Sequence, residues 1–234
     1  MCGKWTVFSK YYRNPKGKKQ DAGNENSIAY HETALFSCQE QRVVFYSLII
    51  EGADMAQVII LLADGFEEVE AVTVIDLLRR AGITVTTVGL KKTEVCGGHD
   101  ITLKTDTTLK SLPAGIDAVI LPGGGRGTKN LAASAAVMDL VKKAFDEGVI
   151  CAAICAAPSV LGRAGILRNI RATCYPGFED QLTGALFIEA AVVRDKNVIT
   201  GRSLAAAIPF AIELITRISG EAVAQRVGEE ILFR

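Results

Sequence analysis

Histidine and aromatic residues are scarce in this chain of 234 residues, which has two histidines, one tryptophan and 6% aromatic residues. Two histidines and the lack of a CxxC pair argue against a zinc site. The formal net charge of the chain is zero, because 26 basic residues balance 26 acidic ones. That balance argues against nucleic acid or an anionic membrane surface as a partner.

Long hydrophobic runs are missing as well. The longest apolar run near the start of the chain, residues 43–50, is far too short to span a bilayer. No secretory signal is visible, so we expect the six cysteines to be free thiols in a reducing, cytoplasmic compartment. The composition predicts a soluble protein whose partners are small molecules or other proteins.

The chain divides into two regions of different character. Residues 1–54 hold the only tryptophan, a basic stretch and a polar run, and they show no sustained helix or strand period. We expect them to be an irregular, disordered extension or a start-site artefact. From residue 55 the patterning is dense and regular, which predicts one domain over residues 55–234.

Strand-like and helix-like segments alternate from residue 58, as in a parallel sheet with helices on both faces. Apolar strands are expected at 58–63, 83–88 and 117–121 and in the run that ends at Cys155. Hairpins are expected near 93–102 and around the turn at 194–197, and helices at 67–81, 134–147, 205–218 and 221–231. The pattern predicts a doubly wound α/β domain.

Cys155 lies where an apolar, strand-like run meets small residues and a proline. This layout is typical of a nucleophile elbow, in which a reactive side chain stands at a tight turn between a strand and a helix. A helix N-terminus directly behind the sulfur would favour the thiolate. The run alone is equally compatible with a small cysteine buried in the core.

Glu70 heads a helical stripe that is otherwise apolar. The stripe continues with Val74, Leu77, Leu78 and Ala81. Burial would raise the pKa of the Glu70 carboxyl, and a protonated carboxyl beside Cys155 could donate a hydrogen bond to the sulfur. An acid in a first helical turn also complements the helix dipole, as we expect Glu67 and Glu68 to do. Periodicity leaves both interpretations of Glu70 open.

The run Pro122-Gly123-Gly124-Gly125 ends a predicted strand. It could aim backbone N–H groups at a substrate oxygen, or it could be a glycine turn without a ligand. The run matches neither the spacing of a phosphate loop nor a dinucleotide fingerprint.

The histidines give little support to a Cys-His peptidase, which needs a base beside its nucleophile. His31 lies in the irregular region, and we expect His99 at the surface or at an interface, where it could line a neighbouring subunit's pocket. Cys151 and Cys174 lie in strand-like runs and are expected in the core. Cys96 lies in a glycine-rich stretch and is expected to be an exposed thiol.

Four segments follow one another along the chain: Ala63-Asp64-Gly65-Phe66-Glu67-Glu68-Val69-Glu70, Leu121-Pro122-Gly123-Gly124, Ala152-Ala153-Ile154-Cys155-Ala156-Ala157-Pro158 and Ala172-Thr173-Cys174-Tyr175-Pro176-Gly177. Together they resemble the DJ-1/ThiJ/PfpI superfamily, in its bacterial-type DJ-1/ThiJ branch. The resemblance implies a flavodoxin-like sandwich, usually a homodimer. It also implies that Cys155 is the elbow nucleophile, that Glu70 is the protonated glutamate holding it, and that Gly124 and Ala156 are backbone donors facing the sulfur.

The chain departs from the family pattern at two places. Tyr175-Pro176 stands where many relatives carry His-Pro, so a basic role for that histidine does not carry over. Residues 201–207 read Gly-Arg-Ser-Leu-Ala-Ala-Ala, where the family has Ser-Arg-Gly-Pro-Gly-Thr-Ala. The pocket residues expected from the resemblance are Gly123, His99, Tyr175 and Arg202, and neither a metal nor a cofactor is expected.

The resemblance implies an enzyme first. It would be a glutathione-independent glyoxalase that turns methylglyoxal into lactate, or a protein or nucleotide deglycase, in carbonyl and oxidative stress defence. The alternative is a redox-sensing stress chaperone, in which oxidation of Cys155 changes partner binding without turnover. The missing histidine argues against a peptidase, and no residue supports the thiamine-biosynthesis label of some ThiJ relatives.

Overall fold

The computed structural model describes residues 55–233. The expectation of an irregular extension at residues 1–54 lies outside the described residues and stays a prediction. The strands are β1 (Gln57–Leu62), β2 (Thr84–Gly89), β3 (Glu94–Cys96), β4 (Thr102–Lys104), β5 (Thr107–Thr108), β6 (Ala118–Leu121), β7 (Ile150–Ile154), β8 (Arg171–Ala172), β9 (Leu186–Phe187), β10 (Val192–Asp195) and β11 (Val198–Gly201). The helices are α1 (Glu68–Arg80), α2 (Gly125–Ala132), α3 (Ala135–Asp146), α4 (Pro158–Arg163), α5 (Ala207–Ser219) and α6 (Glu221–Glu230).

The main sheet has the strand order β10-β11-β7-β6-β1-β2-β5. Its strands pair in parallel, apart from the antiparallel pair β10 and β11. Within it, β2-β1-β6-β7-β11 is the order of a flavodoxin-like sheet. The chain leaves β1 for β2 on one side and returns to β6 on the other, so the switch point where such sheets bind ligands lies between β1 and β6.

The two faces of the sheet are packed against different helices. Val58, Ile60 and Leu62 of β1 belong to a core shared with α1, α5 and α6, whereas Ile59 and Leu61 belong to a core shared with α2, α3 and α4. Successive residues of a strand point to opposite faces. All five side chains are buried because helices cover both faces, and this explains the continuous apolar run in the sequence. The predicted doubly wound α/β sandwich is confirmed.

One helix is not predicted from the sequence pattern. Helix α2 begins at Gly125, the last residue of the glycine run, where a turn is expected. Gly125 and Gly127 lower the helix propensity of the segment, so the sequence pattern does not indicate a helix there. Gly127 is needed because an added Cβ would lie 2.7 Å from the backbone nitrogen of Phe66. No helix within residues 55–233 is long and apolar enough to cross a membrane.

The hairpin predicted near residues 93–102 is formed by β3 and β4. Cys96 is half-buried in β3, so the expectation of an exposed thiol is wrong. Its N–H donates to Asp64 Oδ1 at 3.0 Å, and its carbonyl accepts from the Gly65 N–H at 2.7 Å. The Gly98 N–H donates to the Phe66 carbonyl at 2.8 Å. These bonds fasten the hairpin to the loop that joins β1 to α1.

Candidate active site

The carboxyl ends of β1, β6 and β7 meet at one edge of the sheet. The loop after β1 leads into the first turn of α1 with Glu70, the loop after β6 carries Gly123, and β7 ends directly before Cys155. A Cβ added to Gly123 would lie 2.6 Å from Glu70 Oε2 and 2.8 Å from Cys155 Cβ. The fold thus brings both predicted catalytic side chains to Gly123, where a larger residue has no room.

Cys155 has an unusual backbone conformation. Its φ is 64°, in the left-handed region that side chains other than glycine rarely adopt. Its N–H donates to the Gly201 carbonyl at 2.9 Å, and its carbonyl accepts from the Tyr175 N–H at 2.8 Å. Bonds from two neighbouring segments therefore hold the turn in place. Cys155 is only partly buried, unlike Cys151 and Cys174, which lie in the core as predicted.

Glu70 is fully buried in the first turn of α1. Its Oε2 accepts a hydrogen bond from the Gly123 N–H at 2.8 Å, while its Oε1 has no hydrogen-bond partner among the described residues. Burial raises the pKa of Glu70 to about 7, and the charge of Glu67 raises it further. Hydrogen bonds from the Gly123 N–H and the Cys155 thiol lower this pKa and so oppose the effect of burial. The carboxyl therefore keeps its proton up to neutral pH, so that it can donate a hydrogen bond to a nearby sulfur.

The helix N-terminus does not by itself make Cys155 a thiolate. Burial, followed by the charge and hydrogen bond of Glu70, raises the pKa of Cys155 to about 12, against a lowering by the Ala156 N–H. The contribution of Glu70 reverses while its carboxyl is protonated, because an O–H donated to sulfur favours the thiolate. The Cys155 thiol and the Glu70 carboxyl therefore titrate as a pair. The nucleophilic form of this pair is the Cys155 thiolate beside the protonated Glu70.

The two predicted backbone donors have different surroundings. The Ala156 N–H bonds to the Cys155 sulfur and lowers the pKa of its thiol. The Gly124 N–H has no hydrogen-bond acceptor within residues 55–233, so its role as a donor to substrate stays a prediction. Gly124 has φ 90°, and an added Cβ would overlap the Gly65 carbonyl oxygen, which explains why this position needs glycine.

His99 lies on the hairpin, with its side chain 72% exposed, and it pairs with Glu68. The His99 N–H donates to Glu68 Oε1 at 2.6 Å, and His99 Nδ1 is 3.0 Å from Glu68 Oε2. Burial by itself would raise the pKa of Glu68, but hydrogen bonds from His99 and Ile101 hold it below its usual value. Glu68 is only 4% exposed, so besides complementing the helix dipole it is a buried carboxylate that accepts hydrogen bonds from the hairpin. In the sequence, Gly97 is the residue that could have indicated this close packing, because a Cβ at this position would overlap the Glu68 carboxyl.

Within the described part of the chain, one cluster offers the residue types that bind metals. Ligand atoms of Glu67, Glu68 and His99 lie within 4.8 Å of one another. Both oxygens of Glu68 already bond to His99, so the hydrogen bonds account for the cluster without an ion.

Tyr175 and Arg202 belong to segments that bond to the Cys155 backbone, through the Tyr175 N–H and through the carbonyl of Gly201, and their role as pocket residues stays a prediction. The Tyr175 side chain is exposed, and Arg202 pairs with Glu189 at 2.8 Å and lies 6.0 Å from the centre of the Phe187 ring. The altered segment after Arg202 forms a single 3₁₀ turn, Leu204–Ala206, in place of the family's glycine-proline-glycine turn. The departure in sequence is thus accommodated by an ordered turn that begins with an exposed leucine.

The DJ-1/PfpI family profile matches residues 56–217. The chain belongs to the DJ-1/PfpI family. It is 36% identical over 178 residues to protein dj-1beta of Drosophila melanogaster, covering 74% of this chain and 95% of that protein. It is 35% identical over 149 residues to a deglycase of Pyrococcus abyssi, covering 62% of this chain and 89% of that protein. A cysteine-to-alanine mutant of a DJ-1 superfamily protein from Salmonella typhimurium superposes with a TM-score of 0.74 at 36% identity, covering 77% of this chain and 100% of that one.

In this DJ-1/PfpI protein, two buried glutamates of α1 predict opposite pH dependences of stability. Because folding raises the pKa of Glu70 from 4.5 to about 7, its ionisation opposes folding increasingly as the pH rises from 4.5 through 7. Glu70→Gln should therefore gain up to about 3 kcal/mol of unfolding free energy relative to wild type between pH 4.5 and pH 8. Because folding lowers the pKa of Glu68, its contribution to stability is present above its unfolded pKa and is lost as the pH falls.

Denaturant unfolding measures both effects, for Glu70→Gln against wild type at pH 4.5 and pH 8, and for Glu68→Gln against wild type at pH 8 and at about pH 3, below the unfolded pKa of Glu68. Glu68→Gln should lose stability relative to wild type at pH 8, and less at low pH. A pH dependence of the same sign in both variants would contradict the assignment of a protonated carboxyl at Glu70 and a carboxylate at Glu68.

Proposed function

We propose that this DJ-1/PfpI protein is a glutathione-independent glyoxalase that converts α-oxoaldehydes such as methylglyoxal into hydroxy acids such as lactate. The observation that carries the proposal is the convergence of the Cys155 thiol and the buried Glu70 carboxyl on Gly123. The reaction needs a nucleophile for a carbonyl carbon and a group that moves a proton between adjacent carbons. A carboxyl with a pKa of about 7 can both give and take a proton near neutral pH.

The reaction begins with the Cys155 thiolate beside the protonated Glu70. The sulfur attacks the aldehyde carbon, a C–S bond forms, and Glu70 gives its proton to the aldehyde oxygen, which yields a hemithioacetal. The backbone N–H groups of Ala156 and Gly124 would stabilise the negative charge that develops on that oxygen.

Glu70, now a carboxylate, then removes the proton from the carbon bonded to sulfur. It returns this proton to the neighbouring carbonyl carbon, and the hydroxyl proton moves to the neighbouring oxygen, which yields the thioester of lactate on Cys155. Water cleaves the C–S bond and releases lactic acid with a neutral thiol. The aldehyde carbon is oxidised and the ketone carbon is reduced, so no external oxidant is required.

We extend the proposal to early adducts of methylglyoxal and glyoxal on amines, because a relative from Pyrococcus abyssi is named a deglycase. The thiolate would displace the amine at the hemiaminal carbon, so that a C–S bond forms and the C–N bond breaks. The amine would leave with the Glu70 proton. The product is the same hemithioacetal, and the remaining steps do not change.

The test is lactate formation from methylglyoxal by the reduced full chain in the absence of glutathione. We expect lactate to form at a rate proportional to the concentration of the protein. A parallel assay with a preformed amine adduct and a scavenger for free aldehyde separates deglycation from glyoxalase activity. Absence of lactate in both assays would contradict the proposal.

A redox sensor is the second candidate, and it is favoured by the partly exposed Cys155 and by the buried carboxyl of Glu70, whose Oε1 has no hydrogen-bond partner among the described residues. A protonated carboxyl at that place could donate a hydrogen bond to an oxygen of a sulfinate formed on the sulfur. Selective gain of two oxygen atoms at Cys155 under dilute peroxide, in a protein without turnover, would support this function over the enzyme.

The proposal includes a homodimer in the cytoplasm. Val69 and Val72 are exposed on α1, which is consistent with a surface that a second copy covers, and the four cysteines of the described residues are free thiols. Light scattering on the full chain in solution tests the dimer.

A further inference from the structure

His99 is held at the start of α1 by several bonds, although it belongs to the hairpin 31 residues further along the chain. Its N–H and its Nδ1 both contact the carboxyl of Glu68, and its Nδ1 also lies 3.7 Å from Glu67 Oε1. The neighbouring Gly98 N–H bonds to the Phe66 carbonyl at 2.8 Å. The imidazole therefore has a defined place between two carboxylates.

Glu67 connects this cluster to the reacting pair. Its N–H donates to the Gly123 carbonyl at 3.0 Å, and the N–H of the same Gly123 donates to Glu70 Oε2 at 2.8 Å. The Glu67 side chain is only 17% exposed, so water screens its charge incompletely. That charge raises the pKa of Glu70 and, more weakly than Glu70 itself does, the pKa of Cys155.

We propose that His99 is a positioning residue whose positive charge offsets that of Glu67 and thereby keeps Cys155 reactive near neutral pH. With a protonated imidazole, the cluster of His99, Glu67 and Glu68 carries a net charge of −1; with a neutral imidazole it carries −2. The larger negative charge favours retention of the proton shared by Glu70 and Cys155. A neutral His99 thus slows attack by the sulfur.

The surroundings of His99 favour its charged form. Its charged neighbours are Glu67, Glu68 and Asp100, and the hydrogen bond to Glu68 followed by the charges of Glu67 and Glu68 raises the pKa of His99. The imidazolium therefore persists to a higher pH than that of an isolated histidine. The contribution of His99 to turnover rests on the proposed function, but its effect on the sulfur does not.

The test is the rate of Cys155 alkylation by iodoacetamide as a function of pH, followed on the Cys155 peptide of the full chain. The midpoint of this profile is the pH at which the alkylation rate reaches half of its maximum. His99→Gln should raise the midpoint by about half a pH unit and slow alkylation at pH 7 about threefold. Glu67→Gln should lower the midpoint by a similar amount. The double variant should return to the wild-type midpoint, because its net charge equals that of the wild-type cluster.

Two further variants separate charge from structure. His99→Arg keeps a cation at this place and should keep the wild-type midpoint, whereas a profile like that of His99→Gln would overturn the inference. Asp100→Asn removes an exposed carboxylate next to the cluster and should leave the midpoint unchanged; Asp100 has φ 64°, which asparagine tolerates. A shift as large as that of Glu67→Gln would overturn the inference, since general surface charge would then suffice.

The alkylation assay and the lactate assay fail independently. The predicted shifts in a protein that makes no lactate would support the role of His99 and remove the proposed function. Lactate formation with identical alkylation profiles for wild type and His99→Gln would support the enzyme and overturn the role of His99.

Discussion

Replacing Cys155 with serine is expected to lower kcat/KM for lactate formation by about 10⁴-fold or more, the scale of loss that follows removal of a covalent nucleophile. A serine hydroxyl stays protonated at neutral pH, and no histidine base lies within the described contacts of this position. Serine is smaller than cysteine and keeps a polar group beside Glu70, so the variant should fold. Lactate production and the loss of methylglyoxal absorbance measure the effect.

Cys96→Ala is the matched control for this prediction. Cys96 is also a partly buried free thiol, and its contacts with the site run through its backbone, which alanine retains. We expect this variant to keep most of the activity. If Cys155→Ser kept more than about a tenth of the wild-type rate, or if Cys96→Ala lost as much activity, the chemistry would not pass through the Cys155 sulfur.

The main features of the fold follow from local patterns. Apolar runs such as 58–63 are continuous because the sheet is buried on both faces, and the spacing from Glu70 to Leu78 marks the buried face of α1. The run that ends at Cys155 is by itself equally compatible with a nucleophile elbow and with a buried core cysteine, and only the resemblance to the family selects the elbow. Helix α2 is not predicted because Gly125 and Gly127 lower its helix propensity, although Gly127 is needed for the close approach to the loop that joins β1 to α1.

The charge network could not be predicted in this way. Glu68 and Glu67 look alike in the sequence, as two acids at the start of a helix, and only the packing of the hairpin buries Glu68 against His99. A raised pKa of Glu70 is one interpretation of its apolar stripe, but the opposing hydrogen bond from the Gly123 N–H, which comes from another strand end and lowers that pKa, is not visible in the sequence. Local periodicity carries no information on such contacts, because they join segments far apart in the chain.

Replacing Glu70 with glutamine is expected to lower kcat by about 10²- to 10⁴-fold, the usual contribution of a positioned acid or base. The amide oxygen can still accept the Gly123 N–H, so the packing of the site should persist. An amide cannot take the proton from the hemithioacetal carbon or return it to the next carbon. KM should change less than kcat, because Glu70 acts on protons in the reaction rather than on binding alone.

The pH profile separates this role from a structural one. In wild type, the limb of the kcat profile near pH 7 reports the titration of the pair formed by Glu70 and Cys155, and Glu70→Gln should lose that limb. Unfolding cannot account for the loss of activity, because the same substitution is expected to stabilise the protein relative to wild type as the pH rises above 4.5. Glu68→Gln replaces a buried glutamate that lies two residues earlier and holds His99 rather than a reacting proton, so we expect it to retain the limb with a shifted midpoint. A Glu70→Gln variant with wild-type kcat and an intact limb at pH 7 would show that another group moves the proton, and the convergence of Glu70 and Cys155 on Gly123 would then serve only to position the sulfur.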